Sequence, residues 1–156
     1  LSKHQEIMNT RVNILQLEPG SYKAMAGLEQ YVTNSGIDKL HYELIKLRAS
    51  LINGCAYCLD MHSRDARKLG ETEQRIYVLS AWRETDFFTP EEQAILKLTE
   101  EVTNISQGGV SDQTYQQAAA LFDEHYLAKI IMAITVINAW NRIAISTHMK
   151  PKKVQA

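Results

Sequence analysis

The run Ile130–Asn141, IIMAITVINAWN, sits between Lys129 and Arg142 and carries no charge. A helix built from it is apolar on almost every face, which a helix with one side in water does not tolerate. It closes too early for a membrane span, which needs about 20 largely apolar residues. The segment must therefore be enclosed by protein, and a chain of 156 residues, 45% of them apolar, is long enough to form one domain around it. A subunit interface would cover the surface that so short a chain leaves over, so a homo-oligomer is expected.

The other segments carry helical signals, and no stretch alternates as a strand does. Residues 1–20 read as an N-terminal arm or short helix closed by a turn at Glu18-Pro19-Gly20, with an all-helical domain over 21–150. Ser21 is an N-cap candidate for a first helix running to Val32, and Asp38 caps a second whose stripe is Leu40, Leu44, Leu47 and Leu51. Asn53-Gly54 breaks that helix, and another follows from Cys55 to Leu69, with Gly70 as its left-handed C-cap. Thr72 opens a helix through Trp82. Thr89-Pro90-Glu91-Glu92 combines an N-cap, a first-turn proline and a capping-box glutamate, which predicts a helix to about Ile105. Ser111 starts a further helix ending near His125, and the last spans about Leu127 to Thr147. The fold class is all-α.

Net charge is −1, from 17 basic and 18 acidic residues, and no block of like charge runs along any segment. Nucleic acid and anionic membrane are therefore not expected partners. No basic cluster and apolar run open the chain, so a cytoplasmic location is the expectation. In a reducing compartment two cysteines three apart point to redox or metal chemistry before a structural staple.

Those cysteines lie in Glu43–His62, ELIKLRASLINGCAYCLDMH. On a helix starting at Cys55, separations of three, four and seven bring Cys55, Cys58 and His62 to one side. The helix N-terminus favours an anion, so a thiolate is more accessible there than in water. His62, one turn after Cys58, can take the thiol proton, and Glu43 on the preceding helix can orient that histidine. Cys55 can attack a sulfenic acid formed on Cys58 and close a disulfide. The competing reading is a zinc-stabilised module with Cys55, Cys58, His62 and Glu43 as ligands, but no second CxxC or further histidine pair supports it. A disulfide reductase or redox sensor is a third, although a thioredoxin-like site belongs at a strand-to-helix junction. Glu43 read alone is a solvated helix residue, and Tyr57 and Met61 read as packing. His4, His41, His125 and His148 have no motif around them.

Glu43, eleven intervening residues, Cys55-x-x-Cys58, three more and His62 together resemble the signature of the alkyl hydroperoxidase D-like (AhpD-like) proteins of the carboxymuconolactone decarboxylase superfamily. The resemblance runs closely from about Leu40 to Thr103 and includes the downstream AWRET and FTPEE segments. It implies an all-helical subunit assembling into trimers or hexamers, with thiol peroxidase activity on hydrogen peroxide or organic hydroperoxides. It implies attack by Cys58, resolution by Cys55, a proton relay through Glu43 and His62, an external thiol or protein reductant, no cofactor and no metal. The sequence departs from the pattern at Tyr57, where the best-studied branch has a histidine. The decarboxylase branch generally lacks the cysteine pair, which ranks lactone decarboxylation below peroxidase chemistry.

Overall fold

A computed structural model describes residues 11–155. Its helices are α1 (Ile14–Leu17), α2 (Pro19–Thr33), α3 (Lys39–Asn53), α4 (Ala56–Lys68), α5 (Glu73–Tyr77), α6 (Pro90–Thr103), α7 (Asp112–Leu121) and α8 (Glu124–Ser146). Short 3₁₀ stretches lie at Leu79–Glu84 and Ile105–Gln107, and no strand occurs among the described residues. The all-α expectation is met.

Local chemistry sets most of the boundaries. Asp38 Oδ1 accepts from the Leu40 and His41 amides at 2.8 and 3.0 Å, which opens α3. Gly54 closes α3 at φ 72°, a conformation that costs glycine nothing and that turns the chain directly into α4. Thr89 and Glu92 form the full reciprocal capping box at the start of α6, with Pro90 in the first turn.

Three boundaries differ from the sequence reading. Pro19 and Gly20 begin α2 instead of ending a turn, because proline suits a first helical turn, and the Ser21 hydroxyl bonds back to the Glu18 carbonyl. Within the N-terminal expectation, residues 14–17 form one helical turn; residues 1–10 lie outside the described residues. The helix expected from Thr72 through Trp82 ends at Tyr77 and gives way to a 3₁₀ stretch, where positions three apart eclipse. That geometry sends Leu79 and Trp82 into the same interior cluster. Finally, α7 stops at Leu121 and α8 starts at Glu124, because the Asp123 carboxylate caps the Tyr126 amide at 2.7 Å.

The core has two apolar clusters, with α3 between them. Ile45 and Ala49 face Ile95 and Leu98 of α6 and Ile130, Ala133, Ile134, Val136 and Ile137 of α8. Leu44 and Leu47 face Ala66 of α4, Leu79, Trp82, Phe88 and Leu96. The apolar run of α8 is thus covered largely from within its own subunit, with Met132 still exposed. By length and composition α8 could also cross a membrane, a test that the core helix of a globular domain passes as well. Because α3 is packed on both sides, it is the rigid member from which the site is built.

Candidate active site

The α3–α4 hairpin places Glu43 and His62 opposite each other. Glu43 is 7% exposed and His62 9%, and the His62 Nδ1 lies 3.1 Å from Glu43 Oε2. Glu43 is therefore not the solvated helix residue that its type alone suggests. With Nδ1 engaged by a carboxylate, the imidazole carries its proton there and leaves Nε2 free to accept.

Cys55 is the N-cap of α4 and not its first helical residue. Its backbone is extended, its Sγ accepts from the Cys58 amide at 3.4 Å, and its own amide bonds to the Ser50 carbonyl at 3.0 Å. The two cysteines are joined as a disulfide, with Cα atoms 5.4 Å apart. Both are buried, yet they are not equivalent. Cys58 lines a cleft of about 250 Å³ whose wall also includes His62, whereas Cys55 does not reach it.

The rest of the cleft wall was not read from the sequence as part of a site. Tyr57 and Met61 of α4, Tyr22 and Glu29 of α2, and Trp140 and Ala144 of α8 all face it, together with Met149. Trp140 donates its indole N–H to Glu29 Oε2 at 3.2 Å and meets the Tyr22 ring edge-on at 5.4 Å. The surface is mostly aromatic and thioether, which suits an apolar organic body more than an ion.

A buried amide network fixes the turn before Cys55. Asn53 Nδ2 donates to Asn138 and Asn141 at 2.9 Å each, and Asn141 Nδ2 donates to Ser50 Oγ at 3.0 Å. Asn138 continues it to Thr103 on α6 at 3.0 Å. Asn141 and Ser50 have no access to water and need such partners, and the half-buried Asn53 and Asn138 extend the network so that it ties the cysteine turn to α8 and α6. The signal for it was the presence of two asparagines inside an otherwise apolar run.

The AWRET and FTPEE segments serve the scaffold. Glu100 accepts from Arg48, Trp82 and Arg83 at 2.9, 2.8 and 3.0 Å, locking α3 to α6. Burial alone would raise the Glu100 carboxyl, but the bonds from Arg83, Trp82 and Arg48 outweigh it and hold the group below its ordinary range. Arg75 bonds Glu92 in two-pronged fashion at 2.8 and 3.1 Å and also reaches Glu71.

Of the four ligands in the zinc reading, Cys55 and Cys58 are paired with each other here, and Glu43 and His62 stand together. A disulfide offers no thiolate, and the side chains gathered around His62 are Glu43 and Asp65. The Lys46 ammonium, 3.0 Å from Glu43 Oε1, already neutralises that carboxylate. Of the other histidines, His41 pairs with the Tyr126 hydroxyl at 2.8 Å, and His4 lies outside the described residues.

Residues 19–101 match the profile of the carboxymuconolactone decarboxylase family. The chain belongs to that family. Within it the AhpD-like resemblance holds. A Bacillus subtilis protein, YdfG, is uncharacterised and 46% identical over 89% of this chain and 95% of its own length. The alkyl hydroperoxide reductase AhpD of Streptomyces coelicolor is 40% identical over a shorter stretch, 46% of this chain and 42% of that protein. A crystal structure from Agrobacterium tumefaciens superposes with a TM-score of 0.89 at 41% identity, covering 92% of this chain and 99% of that one. It is a protein of unknown function to which antioxidant defence and the name AhpD are provisionally attached. This family member therefore keeps the AhpD-like fold along nearly its whole length.

Proposed function

We propose that the chain is a dithiol peroxidase that reduces hydroperoxides at Cys58. The observation that carries this reading is the asymmetry of the pair: Cys58 opens on a cleft that also presents His62, while Cys55 lies behind it. In the reduced protein His62 takes the Cys58 proton, and the thiolate attacks the distal peroxide oxygen. The O–O bond breaks, sulfur is oxidised to sulfenic acid, and the leaving alkoxide recovers the proton from His62. The Cys55 thiol then displaces water from the sulfenic acid and forms the disulfide. The sum is dithiol plus ROOH giving disulfide, ROH and water, and an external thiol or dithiol donor returns the pair to the start. Glu43 steadies the imidazolium formed midway. The apolar cleft favours organic hydroperoxides over hydrogen peroxide.

The test is consumption of cumene hydroperoxide by reduced protein, with thiols counted before and after. Cys58→Ser removes the reaction, while Cys55→Ser stops at a sulfenic acid trapped by dimedone. Full activity in both variants refutes the assignment. We also propose assembly with further copies through the exposed apolar side chains Val12, Leu15, Leu17 and Ile145, to be checked by light scattering of the eluted protein.

A further inference from the structure

Lys46 was not singled out by its sequence context, yet it is among the most enclosed charges in the chain. It is 7% exposed, with its ammonium 3.0 Å from Glu43 Oε1, 3.6 Å from Glu29 Oε1 and 3.7 Å above the Tyr42 ring. Burying a lysine is costly unless its charge is met on several sides, and here two carboxylates and an aromatic face meet it. Since it holds one oxygen of Glu43, the other is left for His62 Nδ1 at 3.1 Å. The same ammonium reaches Glu29, which faces the Cys58 cleft. Four side chains from three helices thus form one line, Glu29, Lys46, Glu43 and His62, whose formal charge is −1 with a neutral imidazole and zero with an imidazolium.

We infer that Lys46 is a positioning residue for the proposed peroxidase relay, fixing the Glu43 carboxylate toward His62 and offsetting its charge so that the imidazolium can give its proton up again. Without Lys46 the same line carries −2 with a neutral imidazole, and the site grips the His62 proton more firmly. That proton must pass to the leaving alkoxide in each cycle, so too firm a grip slows the step. The charged and titratable groups around the line are Tyr22 from α2, Lys39 and Tyr42 from α3, and Tyr57, Cys58, Asp65 and Lys68 from α4. From α8 the neighbour is the neutral Trp140. Burial, reinforced by Glu29 and Glu43, keeps the Tyr42 phenol protonated far above its ordinary range, so it does not compete for the proton.

The inference rests on the peroxidase reading for its consequence but not for its measurement. The His62 Cε1–H resonance, assigned by its loss in His62→Gln, is titrated by NMR in wild type, Lys46→Met, Lys46→Gln and Lys46→Arg. Removing a unit charge at this range from a partly shielded site raises the midpoint by about one pH unit in Lys46→Met and Lys46→Gln. Lys46→Arg, which keeps the charge, stays near wild type. Oxidation of the reduced protein by cumene hydroperoxide slows about tenfold at pH 7 in the two neutral variants, with its optimum displaced upward, and Lys46→Arg restores it. An unchanged or lowered midpoint in a folded neutral variant overturns the inference. A raised midpoint in a protein that consumes no hydroperoxide upholds the link to His62 and removes the peroxidase reading alone.

Discussion

Glu100→Gln separates scaffold from chemistry. Glu100 accepts from Arg48 and Trp82 on its buried side and pairs with Arg83, which is half exposed, at 2.6 Å. Glutamine retains one accepting oxygen but sets an amide N–H against a guanidinium and removes the charge. Arg83 can turn to water, whereas Arg48 and Trp82 cannot. Two weakened buried bonds, both accepted by an ionised carboxylate, amount to about 2–3 kcal/mol. For a domain of this size that is a fall in Tm of roughly 5–10 °C. The folded carboxyl lies below its ordinary range, so the stabilisation is complete above the unfolded value, about pH 4.3, and is lost as pH falls through the depressed folded value. The gap between wild type and variant therefore holds from pH 7 down to about pH 5 and narrows below that, toward about pH 3. Thermal melts followed by circular dichroism across that range measure it, and turnover of cumene hydroperoxide by folded protein at pH 7 should match wild type. A gap that stays constant with pH, or a variant of full stability, refutes the role assigned to this carboxylate.

The Tyr42 hydroxyl is buried with Glu29 and Thr33 close by but in no well-aligned hydrogen bond, so Tyr42→Phe keeps the ring beneath Lys46 and removes a poorly met polar atom. Its stability should equal or exceed wild type by up to about 1 kcal/mol, and a clear loss in urea melts would contradict this. Asn141→Leu leaves the Ser50 hydroxyl and an Asn53 amide proton unmet, and should cost about 2–3 kcal/mol by the same measurement. Trp140→Phe loses the bond to Glu29 and part of the cleft wall. It should raise KM for cumene hydroperoxide several-fold while leaving that for hydrogen peroxide nearly unchanged, and an equal effect on both would argue that the wall does not touch the substrate.

The helices with side-chain caps were legible because their signals are local: Asp38, Thr89 and Ser111 each sit where a free side-chain oxygen meets unpaired amides. The Glu43/His62 pairing followed from a tight turn between two periodic helices, which leaves few ways to pack them. What the sequence hid was decided by distant partners. Trp82 turned away from an α-helix because Leu79 and Trp82 share one pocket, and Asp123 captured the start of α8 from a helix expected to run past it. Lys46 carries no motif that sets it apart, and its role emerges only when α2 brings Glu29 beside it. Tyr57 and Met61 looked like core because aromatic and thioether side chains usually are, and only the approach of α2 and α8 turns their faces into a cleft.

The hairpin of α3 and α4 has a consequence for the order in which this protein comes together. Glu43 and His62 are separated by 19 positions, and the cysteines lie between them, so their meeting requires only a short loop to close. The walls are another matter: Tyr22 and Glu29 come from well upstream, and Trp140 and Ala144 arrive near the end of the chain. Contacts this far apart form later than those within a hairpin, and during synthesis they wait for the last helix to be made. The nascent chain therefore owns both cysteines, with Glu43 and His62 beside them, before it owns the wall that covers them. In that interval the pair is open to any oxidant or thiol in its surroundings, and it is α8, the helix that completes the core, that ends the exposure.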